Sequence, residues 1–387
     1  MNEVRIGVVG VGGMGSFHAS NLLQGKVRRA RLAAVCDLVP SKMDRYGDDV
    51  AKFEDSAKLI RSGLVDAVLV ATPHYFHTTI GIDAMRNGLH LLSEKPISVH
   101  KADCERLIAA HKDKSKLFAA MFNQRTDPHY IKVRQLIQDG ELGGLLRVNW
   151  IITNWFRTQA YYDSGTWRAT WKGEGGGVLL NQCPHQLDLL QWLCGMPVRM
   201  RAFCNIGKRH VIEVEDEVTA YFEYANGATG VFVTTTGEAP GTNRLEIAGT
   251  RGKVVIEDGA IRFTRNLVPC DEFLRTCQKG FDQPEVWHID IPADGDGGQH
   301  VAVLQNFVDA ILDGVPLIAP GEEGIRSVEL ANSMLYSSLT GETVDLPLDS
   351  AAFEACLTQL IRNSNFQKAE ATGVEADLSG TFNTQGK

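Results

Sequence analysis

Nowhere in the chain do two cysteines form a Cys-x-x-Cys pair; the eight cysteines are scattered along 387 residues. Such spacing argues against a disulfide framework and fits reduced thiols, so a cytoplasmic protein is expected. Long apolar runs are missing too: none reaches the ~18 residues of a membrane span. The N-terminus "MNEVRIGVVG" enters a strand-like run at once, without a basic segment ahead of a long apolar one, so no signal peptide is expected. Positive charge is in deficit, 39 Lys and Arg against 47 Asp and Glu, for a net charge of -8. That argues against nucleic acid as a partner, which needs a basic footprint. Anionic small molecules stay open, because they respond to local field. The length implies two or three domains with cores that need no staples.

What is present changes character along the chain. Up to about residue 125, short runs rich in Val, Ala and Leu occur at 4–10, 31–37, 67–72, 90–95 and 116–122. Helix-like segments lie between them at 13–24, 75–87 and 101–113. Continuous apolar strands alternating with helices indicate a parallel sheet covered on both faces, hence α/β. Beyond a helix near 127–139, longer polar/apolar runs follow, among them "RVNWIITNWF", "KVVIEDGAIRFTR" and "EVWHIDIP". Asn226-Gly227 and Asp258-Gly259 are hairpin signals between such runs. An α+β domain with an open, mainly antiparallel sheet is expected there. Leu304, Phe307, Val308, Ile311 and Leu312 form one apolar helix face. The divisions expected are a dinucleotide-type domain at 1–125, a second domain at 126–365 for substrate and oligomerisation, and a polar tail at 366–387. One uncovered face of an open sheet predicts a homodimer or homotetramer.

"IGVVGVGGMG" contains Gly10-x-Gly12-x-x-Gly15. In a chain with 38 glycines the motif alone is weak. Here it follows the first strand, opens a helix, and has Asp37 22 residues beyond Gly15 at the end of the second strand. That is the dinucleotide arrangement: Gly10 for the turn, Gly12 for approach to a pyrophosphate, Gly15 for helix packing, and Asp37 for the ribose hydroxyls. Gly13 and Met14 begin the helix whose N-terminus favours phosphate. Asp37 favours NAD, with NADP possible because Lys42 and Arg45 follow closely. No tyrosine has lysine four residues on, which removes the short-chain dehydrogenase pair.

Two further segments carry reactive groups. In "HLLSEKPISVH" an apolar run ends in Glu94, Lys95 and Pro96. Neighbouring strand residues face opposite ways, so one of Glu94 and Lys95 is expected in the crevice and the other away from it. A lysine held there can exchange a proton with a substrate hydroxyl once burial lowers its pKa. In "GEGGGVLLNQCPHQLDLLQWLCG", Asn181, His185 and Asp188 share a face if 181–194 is helical, although Pro184 favours a later start. His185 is suited to proton exchange near neutrality. Trp150, Trp155, Phe156, Tyr161, Tyr162 and Trp167 crowd the start of the second domain, where they can form core or line a sugar pocket. His74 and His77 lie three apart, but no third ligand follows at metal-site spacing, so no metal is expected.

In their order and spacing, "GVVGVGGMG", "VLVATPHYFH", "SEKP" and "GGGVLLNQCPHQLDLL" resemble the Gfo/Idh/MocA family of sugar and cyclitol oxidoreductases over roughly residues 4–350. The resemblance implies that Lys95 and His185 are catalytic and that Thr72, Pro73 and His77 line the nicotinamide side. It implies that Asn123 and Arg125 close the cofactor domain, and that Trp167 and Arg168 reach back to the cofactor. Glu94, Lys95 and Asn123 join the cofactor set; Asn123, Trp155, Tyr162 and Asn181 are expected at the substrate. One departure stands out: many members carry Asp where this chain has Asn181, and Asn cannot titrate, so Asn181 is left to orient. The activity implied is hydride transfer between NAD(P) and a secondary alcohol carbon of a sugar, glycoside or cyclitol. The alternatives are an NAD-retaining glycosidase that oxidises its ring transiently, and a non-catalytic NAD-binding regulator.

Overall fold

The computed structural model describes residues 2–368. The first unit runs β1 (Val4–Val9), α1 (Gly13–Leu23), β2 (Ala30–Cys36), β3 (Ala51–Phe53), α2 (Ser56–Ile60), β4 (Ala67–Val70), α3 (His74–Arg86), β5 (His90–Ser93), α4 (Lys101–Ala110) and β6 (Phe118–Ala120). All pairings are parallel, in the order β3-β2-β1-β4-β5-β6. Chain order reverses between β1 and β4, and the crevice for a ligand opens at their carboxyl ends. β4 and β5 are buried at every position, as strands covered on both faces must be. β3 and α2 were not anticipated. β3 has three residues, with Lys52 at its centre and a place at the sheet edge, so no apolar run announces it.

After β6 come α5 (Pro128–Gln138), β7 (Leu145–Ile152), α6 (Gln159–Asp163) and α7 (Pro184–Cys194). The second sheet continues through β8 (Arg199–Ile206), β9 (Glu215–Glu223), β10 (Thr229–Thr235), β11 (Asn243–Gly249), β12 (Gly252–Glu257) and β13 (Ala260–Asn266). Then follow α8 (Cys270–Thr276), β14 (Val286–Ile291), α9 (Gln299–Asp313), α10 (Gly324–Thr340), β15 (Val344–Asp345) and α11 (Ser350–Asn363). The nine strands lie in the order β14-β13-β12-β11-β7-β10-β9-β8-β15, antiparallel apart from the β7–β10 pair. Asn226-Gly227 turns the chain between β9 and β10, and Asp258-Gly259 turns it between β12 and β13 with both residues at positive φ.

Alternation decides the two faces of this sheet. Trp150, Phe222 and Phe232 point inward to a core shared with α7 and α10. Ile151, Phe203 and Tyr221 point outward and remain exposed. α7 starts at Pro184, whose ring suits the first helical position, so Asn181 lies in the turn before the helix.

Near its end the chain returns to the first unit. Leu304, Phe307 and Val308 of α9 enter the core beneath Val4, Ile6 and Val8, with Ile311 and Leu312 packed at its margin. Arg29 reaches Asp309 at 2.6 Å and also pairs with Asp313. Ala120 N–H then donates to the Ala319 carbonyl at 3.0 Å, extending the sheet edge. Residues 299–320, within the stretch expected to be the second domain, therefore pack on the first. Of the expected polar tail only 366–368 lie among the described residues.

A buried ion pair joins the units. Arg125 Nε and Nη2 donate to the two carboxylate oxygens of Asp188 on α7, each at 2.7 Å, and Arg125 Nη1 donates to Glu323 at 2.6 Å. The side chains of Arg125 and Asp188 are each only 1% exposed. Removing one partner of such a pair strands a buried charge. Asp188→Ala is expected to destabilise the protein by about 3–5 kcal/mol, read from its urea unfolding midpoint. A midpoint equal to that of the parent would contradict this.

Candidate active site

A cleft of about 690 Å³ lies at the carboxyl ends of β1, β2, β4 and β5 and is closed on its far side by the second unit. Its floor is built by the glycine turn after β1. A Cβ on Gly15 would stand 1.7 Å from the Gly10 carbonyl oxygen, so only glycine lets α1 start this close to the strand. Gly12 is the opposite case: a Cβ there would meet nothing within 4 Å, because that side of the turn faces the open cleft. Gly10, Gly12, Gly13 and Met14 line this end. Asp37, just past β2, accepts from Val11 N–H and Val39 N–H, each at 3.0 Å, and has Lys42 Nζ at 3.5 Å. An open glycine turn at a helix N-terminus with a carboxylate at the next strand end fits the pyrophosphate and ribose of a dinucleotide.

Further along the cleft, Thr72 and Pro73 precede α3. His77 stands between two carbonyl oxygens, Pro96 on one side and Thr72 on the other, 2.7 Å from each, and so ties the two loops together. His74 Nδ1 faces the Glu174 carbonyl at 3.4 Å. Trp167 packs edge-on to His74, and Arg168 lies over the Trp167 ring at 4.7 Å.

Both Glu94 and Lys95 line the cleft, contrary to the expectation that they would diverge. β5 has ended at Ser93, so strand alternation no longer governs them. The Glu94 carboxylate turns toward α1, 2.7 Å from His18 Nε2, and also accepts Lys95 N–H at 3.0 Å. Its pKa falls to about 2: burial raises it, and the His18 hydrogen bond and nearby positive charge more than offset that. The Lys95 amine crosses the cleft and donates to the backbone carbonyl of Asn181 at 3.0 Å. Burial draws its pKa below the usual lysine value, and Glu94 and Glu174 pull it part of the way back.

His185, in the first turn of α7, lines the same wall. Burial, then the Lys95 charge, hold its pKa well below the usual histidine value, so the ring is neutral near pH 7. Asn123 Nδ2 donates to Gln299 at 2.6 Å. Asn123 Oδ1, Thr72 Oγ1, Gln182 Oε1 and His185 Nδ1 are buried in the cleft wall with no hydrogen-bond partner among the described residues. Buried polar atoms are normally paired, and four orphans on residues that line one cleft mark its wall as a place for polar partners.

Tyr162 needs correcting. It is 2% exposed, its hydroxyl lies 2.8 Å from Thr236 Oγ1, and it belongs to the core. Its neighbour Tyr161 faces the cleft instead, donating to Asn181 Oδ1 at 3.2 Å and accepting from Arg168 at 2.8 Å. Trp155 and Trp167 do line the cleft. Arg157 and Gln182 also line it and carried no sequence signal beyond being polar.

Glu174 was also missed. It is 1% exposed and stands behind the wall, accepting from the Asn181 side-chain amide and from Ala169 N–H. The glycine triad that follows it allows a close approach: a Cβ on Gly177 would lie 2.0 Å from the Glu215 carbonyl oxygen. Glu215 in turn accepts Gly177 N–H and Leu179 N–H, and burial pushes its carboxyl up to about 7.

Comparison with known proteins agrees with this geometry. The profile of an oxidoreductase family with an NAD-binding Rossmann fold matches residues 4–122, and the profile of the GFO/IDH/MocA C-terminal domain matches residues 130–255. A levoglucosan dehydrogenase of Pseudarthrobacter phenanthrenivorans is 25% identical over 400 residues, covering 91% of this chain and all of that one. A myo-inositol 2-dehydrogenase of Thermotoga maritima is 24% identical, covering 83% of this chain and 92% of its own. Among solved structures, the WlbA dehydrogenase of Bordetella pertussis in complex with NADH and UDP-GlcNAcA shares the fold at a TM-score of 0.75 and 24% identity, over 90% of this chain and all of that one. Levoglucosan dehydrogenase in complex with NADH and levoglucosan does so at 0.75 and 20%, over 89% of this chain and all of that one. The chain belongs to the Gfo/Idh/MocA family of NAD-binding oxidoreductases.

Proposed function

We propose that this protein is a dehydrogenase of a secondary alcohol on a sugar, glycoside or cyclitol, with Lys95 and His185 handling the hydroxyl proton. The observation that carries this reading is the Lys95 amine. It projects into the cleft beyond the dinucleotide turn, is anchored by the Asn181 carbonyl, and shares the wall with a neutral His185. Bound NAD would supply the hydride acceptor at its nicotinamide C4. Lys95 takes the hydroxyl proton in oxidation and returns it in reduction, because burial has brought its amine toward the range of a working base. His185, uncharged, accepts a hydrogen bond from the substrate and fixes which hydroxyl meets Lys95. Trp155 and Tyr161 give the apolar wall that sugar C–H faces require, while Asn123 and Gln182 bring polar atoms still lacking partners. The inositol and levoglucosan dehydrogenases among its relatives support this substrate class.

Asp37 sets the preference for NAD over NADP, since its carboxylate accepts from ribose hydroxyls and repels a 2′-phosphate. The exposed outer face of the second sheet, with Ile151, Phe203 and Tyr221, is the surface on which a second copy packs in a homo-oligomer.

Three outcomes are expected. Lys95→Ala loses about 10²–10⁴-fold in turnover in an NAD-coupled screen of sugars and cyclitols, while NADH binding by fluorescence titration is kept; His185→Ala loses a similar factor. Near-parental turnover in Lys95→Ala would remove the lysine from the reaction, and release of an aglycone without net NADH would convert the reading to a glycosidase. Asp37→Ser narrows the NADH over NADPH affinity ratio by about tenfold or more, since hydrogen bonds to a charged group are worth about 1.5–3 kcal/mol; an unchanged ratio moves the discrimination to Lys42 or Arg45. Light scattering at micromolar concentration gives a mass above the 42.5 kDa of one chain, and a monomer would refute the assembly.

A further inference from the structure

A carboxylate stands directly behind Asn181, the residue whose backbone carbonyl receives Lys95. Glu174 Oε1 accepts from the Asn181 side-chain amide. Glu174 Oε2 accepts Ala169 N–H at 2.6 Å. The Asn181 backbone carbonyl, in turn, receives the Lys95 amine at 3.0 Å. Glu174 is 1% exposed and forms no ion pair among the described residues. Burying an acid in this way costs free energy unless its oxygens are paired, and both Glu174 oxygens are.

A second observation comes from the backbone. Ala169 has φ +55°, in the left-handed region that a residue with a Cβ avoids. It follows directly on Trp167 and Arg168, and its N–H is the one held by Glu174. Outliers of this kind persist where the surroundings fix them, and they gather at functional sites. One carboxylate thus holds both the turn that presents Trp167 and Arg168 to the cleft and the residue that receives Lys95.

We propose that Glu174 is the positioning residue of Lys95: a carboxylate delivered from the loop before the glycine triad to the place that Asn181 leaves neutral. It orients Asn181 by a direct hydrogen bond and sets a negative charge beside the lysine. This rests on the role proposed for Lys95, and it deepens that role by saying what tunes the amine.

The groups facing this pair are few. Burial holds the Glu174 carboxyl above its usual range, and Arg168, the Ala169 N–H, the Asn181 amide and Lys368 pull it part of the way back toward the carboxylate. Lys368 donates to the carbonyls of Gly165 and Arg168, bringing a positive charge from the segment after α11. Around Lys95 stand Glu94 and Glu174, which favour the ammonium, and Arg168 and Arg157, which oppose it. His74 and His77 of α3 and His185 of α7 complete the surroundings, each held toward the neutral form by burial. Removing the Glu174 charge leaves Glu94 alone to favour the ammonium, and the amine then loses its proton at lower pH.

The experiment reads Lys95 without needing the substrate. The full chain, with NADH added, is treated with acetic anhydride across a pH series, and acetylation of Lys95 is quantified by peptide mass spectrometry. In Glu174→Gln the half-maximal pH for Lys95 labelling is expected to fall by about half a unit or more. Glu174→Asp, which keeps the charge, is expected to leave the midpoint nearer the parental value than Glu174→Gln does, which a purely structural role of Glu174 would not do. A midpoint unmoved in Glu174→Gln overturns the proposal, and so does a midpoint in Glu174→Asp that falls as far as in Glu174→Gln. Should Glu174→Gln fail to fold, Glu174→Met takes its place with the same two readings. Because no turnover is measured, failure here is distinct from failure of the proposed function, which the Lys95→Ala screen decides.

Discussion

The arrangement of the cleft depends on one buried ion pair. Arg125 belongs to the turn that follows β6, and Asp188 lies three residues after His185 on α7. A bidentate pair fixes two rigid groups in both distance and rotation, which a single contact cannot do. Here it sets how α7 is rolled against the edge of the first unit, and with it where His185 meets the cleft. Gln186 Nε2 adds a second tie by donating to Gln124 Oε1 at 3.0 Å, and Trp192 lies against the Arg125 guanidinium at 5.6 Å. Taking two charges out of water gains little net stability against an apolar substitute. What it gains is one geometry, because any other rotation of α7 strands the Asp188 carboxylate in the interior and leaves Arg125 with Glu323 alone.

Much of this was readable from the sequence, and the physical reasons for what was not are specific. The parallel sheet, the glycine turn and Asp37 were legible because their chemistry is local: continuous apolar strands, a helix start and a strand end all fall within about forty residues. β3 was hidden because an edge strand of three residues with a central lysine has no periodicity. The choice between Tyr161 and Tyr162 was hidden because α6 has five residues, too few to reveal which side of it is buried. Glu94 and Lys95 were misassigned by carrying strand alternation past Ser93, the last paired position. The apolar face of α9 was visible at once, but nothing in a helical repeat says which sheet it will cover.

Charge within the cleft follows a single pattern. The acids near the reacting end are each withdrawn from open contact with ligand: Glu94 toward His18, Glu174 behind Asn181, Glu215 beneath the glycine triad. At this end Lys95, Arg157 and Arg168 face the space among neutral amides and aromatic rings. A chain of net charge -8 thus keeps positive side chains at the reacting end of the cleft, while Asp37 lines the opposite end.

The return of α9 to the first sheet has a consequence for how the protein is made. Arg29 pairs with Asp309 across 280 residues of chain, and the core under β1 lacks Leu304, Phe307 and Val308 until that late segment exists. At about 5–20 residues per second of synthesis, the earliest strands wait roughly 15 to 60 s for the helix that covers them. During that time most strands of the second sheet are made while the first carries an uncovered apolar face, the condition in which a nascent chain most needs a chaperone. The domain encoded first is closed only after most of the second has been made.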